Sequence, residues 1–208
     1  MKISPSIASS LDLLNLEKEI CFIDKYFDSI HLDIEDGVAV NNISFGFKFA
    51  KAICEKSISK EKTIHLEVMN PSRYIETIKN IKADIIFVQI DALENPIEEI
   101  IKFKENNINV GINVSNLDLN REYLSKILEL SHNILVNTTN HDDLKQICDP
   151  EMIEFAKKLS ETKKVWIDGG VTWEIYNSLK ESVIYEAIMG RAIFFNKDET
   201  VKWILDAG

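Results

Sequence analysis

The chain has 208 residues, of which 45% are hydrophobic and 28% charged, and its formal net charge is −10. These values are typical of one globular domain with a substantial core, and the acidic balance disfavours nucleic acids and anionic membranes, which need concentrated lysine and arginine. We also expect no membrane span and no signal peptide, and the three scattered cysteines favour reduced thiols in the cytoplasm over a disulfide framework or a zinc knuckle.

Short β-branched segments alternate along the chain with longer segments of helical period. Helices are predicted to begin at Pro71, Pro96 and Pro150, because the first turn of a helix accommodates proline. Thr172 is predicted to cap a helix that starts at Trp173, and residues 198–207 form the last helix. The predicted strands, in chain order, are KISPSI, SIHLDIE, KTIHLEV, DIIFVQI, NVGINV, NILVN, KVWIDG and YEAIMG.

Eight strands that alternate with helices, at about 26 residues a unit, predict a parallel sheet. Eight units are also the number that closes a (β/α)8 TIM barrel, so we predict an α/β protein with a single barrel domain over residues 1–208. An open doubly wound sheet has the same alternation, but no G-x-G-x-x-G segment follows the first strand.

Polar side chains recur on the inner face of three predicted strands. His31 and Asp33 alternate on IHLDIE, His65 lies on TIHLEV, and Asp168 ends WIDGG. Barrel enzymes carry their sites at the C-terminal ends of the strands, and polar groups on central strands are costly to bury unless they are paired or bind a metal. A single strand histidine or an Asp-Gly-Gly turn has an ordinary structural explanation, but the combination predicts a four-ligand site for Zn²⁺, Fe²⁺, Mn²⁺ or Co²⁺.

The order and spacing of these segments resemble the ribulose-phosphate 3-epimerase family. The similar segments are ISPSI, IHLDIEDG followed by NNISFG, TIHLEVMNPSRYI, ADIIFVQIDA, WIDGGV and MGRAIF. The opening of the chain most resembles the allulose-6-phosphate 3-epimerase branch of that family. The resemblance implies a TIM barrel of the ribulose-phosphate-binding type and a metal-dependent isomerase that inverts C3 of a ketose or ketose phosphate.

The resemblance also implies roles for individual residues. His31, Asp33, His65 and Asp168 would hold one divalent metal ion, and Asp33 and Asp168 would be the catalytic acid–base pair. One aspartate would remove the C3 proton and the other would return a proton on the opposite face, while the metal stabilises the enediolate. Ser9, at the end of the first predicted strand, matches a family serine that hydrogen-bonds near this centre. The expected partner is a small-molecule sugar, and we expect a homo-oligomer in the cytoplasm.

The chain departs from the family pattern where the substrate would bind. Glu35 and Glu67 stand where the family has methionines, and a third family methionine falls near Asn137. The family's histidine on the fourth strand corresponds to Gln89. An apolar wall would therefore have become polar and acidic, and these four residues are candidate substrate contacts.

The phosphate-binding segments differ as well. The family's glycine-rich loop PGFGGQ corresponds to NHDDLKQ, in which Asp142 and Asp143 would oppose an anion. The cradle keeps Gly169 and Gly170 after the seventh strand, and Gly190 with Arg191 after the eighth. Arg191 could clamp a phosphate bidentately or pair with the two aspartates.

Three interpretations follow. The chain is an epimerase for a different sugar with weak phosphate binding, which the acidic substitutions favour. Alternatively, it is a pentulose- or hexulose-phosphate epimerase whose phosphate is held by Arg191 and the remaining glycines. The third interpretation is a non-catalytic or regulatory paralogue that uses the barrel as a binding scaffold. All four predicted ligands are present, which argues against the third, because unused buried acids and imidazoles would only destabilise a core.

Overall fold

The computed structural model of the chain describes residues 1–139 and 145–207. Eight parallel strands form one sheet in the order β1-β8-β7-β6-β5-β4-β3-β2. A parallel bridge between Ser6 and His31 brings β1 beside β2 and nearly closes the barrel, which confirms the predicted (β/α)8 fold class. The strands are β1 Lys2–Pro5, β2 Ser29–Glu35, β3 Glu61–Glu67, β4 Ile85–Gln89, β5 Val110–Val114, β6 Asn133–Asn137, β7 Lys164–Asp168 and β8 Glu186–Met189.

Helices follow the strands around the outside of the sheet, and several begin where the sequence predicts. Pro96 and Pro150 each occupy a first helical turn, and Thr172 accepts a hydrogen bond from the Ile175 backbone N–H at 3.3 Å. Pro71 instead begins a 3₁₀ turn ahead of a short helix. Among the described residues no helix has the length and apolar character that crossing a bilayer requires. The helices are α1 Leu16–Tyr26, α2 Phe47–Lys56, α3 Ile75–Ile78, α4 Pro96–Glu105, α5 Leu124–Leu128, α6 Pro150–Ser160, α7 Trp173–Leu179, α8 Arg191–Phe194 and α9 Lys197–Ala207.

The first strand is shorter than predicted, and this corrects the position of Ser9. β1 ends at Pro5, and Ile7–Ser9 form a 3₁₀ turn. The backbone N–H groups of Ser9 and Ser10 donate to the carbonyls of Ser6 and Ile7 at 3.1 Å, so these residues leave the ladder of the sheet. Ser9 therefore lies in the connection after β1 and not at the end of the strand.

Strand alternation separates two apolar cores. Leu32 and Ile34 on β2 belong to the core between the sheet and the helices. A second cluster fills the inside of the barrel with five buried residues: Ile85, Phe87, Leu135, Trp166 and Ile188. Because this cluster fills the middle of the barrel, inward-facing residues nearer the C-terminal strand ends face the mouth.

Candidate metal centre and substrate cavity

The four predicted metal ligands converge at the mouth of the barrel. One donor atom from each of His31, Asp33, His65 and Asp168 can be chosen so that all four lie within 4.8 Å of one another. Both histidines are buried, and the two aspartates are partly exposed. Alternation on β2 and the register of Asp33 beside His65 on β3 bring three of these residues together, and β7 contributes the fourth.

His31 presents one nitrogen to both carboxylates. Its Nδ1 shares a hydrogen bond of 2.6 Å with Thr63 Oγ1. Its Nε2 lies 3.1 Å from Asp33 Oδ1 and 3.9 Å from Asp168 Oδ2. The hydrogen bond to the threonine hydroxyl orients the ring, so Nε2 is the nitrogen that is directed toward the centre.

His65 is the residue whose buried polar atoms most clearly lack partners. Neither of its ring nitrogens makes a well-aligned hydrogen bond to another of the described residues. Nδ1 lies 3.2 Å from Glu67 Oε1 and 3.7 Å from Asp33 Oδ1, close enough for an electrostatic interaction. An imidazole that is 2% exposed and lacks a hydrogen bond, within a set of two nitrogens and two oxygens, fits the ligand set of one divalent ion.

The two aspartates have different electrostatic environments. Burial acts to raise the pKa of Asp33, but the neighbouring His31 and His65 outweigh it and lower this pKa well below its usual value. Burial and the negative charge of Asp33 raise the pKa of Asp168 to about 6. Ser6 Oγ donates a hydrogen bond of 2.7 Å to Asp33 Oδ2, a contact that further favours an ionised Asp33.

A cavity of about 740 Å³ opens above these residues, at the C-terminal ends of the strands. Lys145 and Arg191 line it on the side of β6 to β8. On the opposite side it is lined by the carboxylates from β2 and β3. Eight of the predicted substrate contacts lie in its wall: Ser9, Glu35, Glu67, Asn137, Gly169, Gly170, Gly190 and Arg191.

Glu35 and Glu67 are adjacent in the register of β2 and β3. Glu35 Oε2 accepts a hydrogen bond of 2.9 Å from Asn42 Nδ2, and Glu67 is 7% exposed. Burial, together with the charges of Glu67 and Asp33, raises the pKa of Glu35 to about 7. This side of the cavity is therefore polar and acidic, as the sequence predicts.

The glycines on the other side allow close packing. Gly169 and Gly170 have φ angles of +105° and +67°, in the left-handed region that favours glycine. A Cβ atom on Gly169 would lie 3.0 Å from Asn137 Oδ1, and one on Gly190 would collide with Ser9 Oγ. Glycine is thus required for the backbone to approach the side chains that line the cavity.

Some residues around the cavity differ from what the sequence predicts. Gln89 is not part of the wall of this cavity; it lines a smaller groove beside it. Ser6, which the sequence did not single out, contacts Asp33. It follows β1 directly and lies two residues after Ser4, so the alternation of the strand, continued by one residue, is the signal that could have revealed it. Asp142 and Asp143 lie outside the described residues.

The sequence matches the profile described as "Ribulose-phosphate 3 epimerase family" over residues 2–194. The ribulose-phosphate 3-epimerase of Schizosaccharomyces pombe is 28% identical over 93% of this chain and 86% of its own. The Bacillus subtilis enzyme of the same name is 26% identical over 95% of this chain and 94% of its own. The range matched by the family profile includes the positions of all four predicted ligands.

Solved structures share the fold at lower sequence identity. 3-Hexulose-6-phosphate synthase has a TM-score of 0.70 and 15% identity, over 97% of this chain and 95% of its own. Phosphoribosyl anthranilate isomerase from Thermococcus kodakaraensis has a TM-score of 0.66 and 11% identity, over 100% and 99% of the two chains. At these identities the likeness is one of fold.

Proposed function

The chain belongs to the ribulose-phosphate 3-epimerase family and is a carbohydrate epimerase of the isomerase class, and from this premise we propose that it inverts C3 of a ketose or ketose phosphate with one divalent metal ion and two carboxylates. The convergence of His31, Asp33, His65 and Asp168 within 4.8 Å is the observation that carries this proposal. The likeness to the allulose-6-phosphate 3-epimerase branch remains a prediction from the sequence.

The four side chains would hold the ion through His31 Nε2, a ring nitrogen of His65 and one oxygen of each aspartate. A bound divalent ion supplies positive charge that stabilises the anion formed when a proton leaves the carbon beside a ketone. Thr63 orients the His31 ring, and Ser6 holds one oxygen of Asp33, so the other oxygen of Asp33 is directed toward His31.

Asp33 and Asp168 come from β2 and β7 and flank the same histidine nitrogen. We assign them the two proton transfers: one carboxylate removes the C3 proton of the bound sugar, and the other returns a proton from the opposite side. Inversion requires two such groups, because a single base would return the proton to the face from which it came.

The two sides of the cavity suggest how the sugar is oriented. Lys145, Arg191 and the glycine backbone around residue 170 would accept a phosphate on the side of β6 to β8. Glu35 and Glu67 favour the hydroxyl-bearing end of the sugar on the opposite side, because carboxylates accept hydrogen bonds from hydroxyls and repel phosphate. Substitution of Arg191 therefore tests whether the cavity binds a phosphate on this side.

Solvent-deuterium exchange tests this function. We expect the metal-loaded protein to exchange the C3 proton of at least one of D-ribulose 5-phosphate, D-allulose 6-phosphate and their free sugars. If a phosphate ester is the substrate, Arg191→Ala should raise its KM, while Arg73→Ala, an exposed arginine outside the cavity, should not. Faster exchange of the free sugars would identify an unphosphorylated substrate. Absence of exchange with all four sugars would contradict the proposal.

Metal binding has its own test, which does not depend on turnover. After treatment with a chelator, added Mn²⁺, Co²⁺ or Zn²⁺ should raise the Tm, because a ligand at 100 times its Kd stabilises the folded state by about 3 kcal/mol. The response should be lost in His65→Ala and kept in His132→Ala, which removes an exposed histidine. A chain that binds no metal would instead favour the non-catalytic alternative.

A further inference from the structure

A second groove lies beside the main cavity and shares Val40 and Asn41 with it. Its volume is about 370 Å³, and it is bounded by residues 37–41, between β2 and α2, and by Gln89, Asp91 and Leu117. No lysine or arginine is among the described residues that line it. The groove therefore extends the substrate cavity toward β4 and β5 with a lining that is polar but has no cation.

Gln89 is a buried amide with one unused acceptor. The residue is 2% exposed, and its Nε2 donates a hydrogen bond of 2.7 Å to Asp91 Oδ1. Its Oε1 has no hydrogen-bond partner among the described residues. Burial of an unpaired carbonyl oxygen costs free energy, so an oxygen in this position is suited to a donor that arrives from outside the protein.

Neighbouring groups hold this amide in one orientation. Asp91 Oδ2 accepts a hydrogen bond of 2.6 Å from Ser115 Oγ, and the Ser115 backbone N–H donates to Asp118 Oδ2 at 2.9 Å. A rotation of the Gln89 amide by 180° would turn its oxygen toward the Asp91 carboxylate, where two acceptors repel each other. The unused atom is therefore the oxygen.

Asn113 is a second buried amide with an unused acceptor, but it is not among the residues that line the groove. It pairs with Gln89 in the register of β4 and β5. Gly111, two residues earlier on β5, packs against the Phe87 ring inside the barrel, so strand alternation directs Asn113 inward as well. Asn113 is fully buried, and its Oδ1 lacks a partner among the described residues.

We propose that this groove is a second subsite, which binds an uncharged, hydroxyl-bearing part of the substrate beyond the carbons that react. The proposal rests on the function proposed above. The unused oxygen of Gln89, which lines the groove, requires a ligand that donates a hydrogen bond. The Asp91 carboxylate disfavours a phosphate, because no lysine or arginine is among the described residues that line the groove. The exposed side chains of Val38 and Leu117 supply apolar edges for the C–H groups of a sugar. The substrate is then a ketose long enough to extend from the main cavity into this groove.

Binding of the polyol D-sorbitol to the metal-free protein tests the subsite without turnover. We expect D-sorbitol to shift the backbone amide resonances of Ala39 and Leu117 in NMR spectra. Gln89→Met should weaken this binding about tenfold, because a methionine of similar size cannot accept the hydroxyl hydrogen bond. The matched control Asn109→Ala removes an exposed amide at the other end of β5 and should bind normally.

A groove-blocking variant and steady-state kinetics test the same subsite independently. Leu117→Arg changes an exposed residue and should block the groove even if Gln89→Met fails to fold. With any ketose that the enzyme turns over, Gln89→Met should raise KM about tenfold and change kcat by less than about twofold, since the lost contact lies away from the reacting carbons.

The outcomes separate the subsite from the proposed function. A protein that binds D-sorbitol through Gln89 but exchanges no ketose proton would keep the subsite and contradict the proposed function. An active epimerase in which the polyol shifts no groove resonance, or in which Gln89→Met changes neither binding nor KM, would overturn the subsite. The groove would then hold solvent only.

Discussion

Asp33 and Asp168 have the same side chain, but their neighbours shift the two pKa values in opposite directions. Asp33 contacts two imidazoles and a serine hydroxyl, whereas Asp168 lies beside the charge of Asp33. Strand alternation in IHLDIE and the end of WIDGG predict that both face the mouth of the barrel. The partners of the two carboxylates come from β2, from β3 and from Ser6 just after β1, so only the folded chain determines them.

Substitution of either aspartate should slow the proton transfers and leave the fold intact. Asp33→Asn and Asp168→Asn keep the shape of the side chain and remove its basicity, so each should slow C3 proton exchange by about 10²–10⁴-fold or more. Deuterium incorporation from each of the two epimers measures this loss. Residual exchange from one epimer only, without inversion, would identify which face each aspartate serves.

A matched control is available on α9, where Asp198 is exposed. Asp198→Asn should retain full exchange. Undiminished turnover in Asp33→Asn or Asp168→Asn would show that the two-carboxylate assignment is wrong.

Among the elements, β4 and β5 illustrate how the barrel interior constrains the sequence. Phe87 points into the barrel and lies beside Gly111 in the register of the two strands. A Cβ atom on Gly111 would collide with the Phe87 ring. That ring packs against Trp166, and the two ring centroids are 5.1 Å apart. Glycine at position 111 thus leaves the space that the Phe87 ring occupies, and a larger residue there would overpack the core.

Gly111→Ala should therefore destabilise the chain by about 1–3 kcal/mol, as measured by urea unfolding. Gly46→Ala is the matched control, because a Cβ atom there meets no atom within 4 Å and the residue precedes α2 with a φ of −85°. We expect the control to change the free energy of unfolding by less than about 1 kcal/mol. Equal effects of the two substitutions would contradict the packing explanation.

For the molecule as a whole, the end of the barrel opposite the cavity contains an acid that couples stability to pH. Glu186 is fully buried at the start of β8, where it accepts hydrogen bonds from Ser29 Oγ and from Trp166 Nε1. Burial, with a contribution from the charge of Glu61, raises its pKa from 4.5 to about 7. Lys2 opposes this shift without reversing it.

The sign of the pH effect follows from proton binding. Between pH 4.5 and about 7 the folded chain holds a proton on Glu186 that the unfolded chain has released, so this residue's contribution to stability falls as the pH rises. Glu186→Gln resembles the protonated acid and should be more stable than the native chain at pH 8 by up to about 3 kcal/mol, with little difference near pH 4.5.

Urea unfolding of both proteins at several pH values measures this difference. Glu154→Gln, which removes an exposed glutamate paired with Lys157, serves as the control and should show almost no pH-dependent change. A constant difference between Glu186→Gln and the native chain across this range would rule out the titration of Glu186.

Local patterns in the sequence determine much of this protein. The alternation of strand and helix predicts the barrel, and the inward positions of His31, Asp33 and His65 follow from a side-chain period of two. Proline and threonine predict the starts of α4, α6 and α7, because they act within a single helical turn. These features depend on neighbours in the chain, so they can be inferred without the fold.

Contacts between distant segments were decided only by the tertiary structure. The turn after β1 moves Ser9 off the strand and leaves Ser6 beside Asp33, 27 residues away. Gln89 lines a separate groove, together with residues 37–41 from the connection after β2. Hydrogen bonds and desolvation depend on distances in space, and no period in the sequence encodes which side chains meet across a barrel.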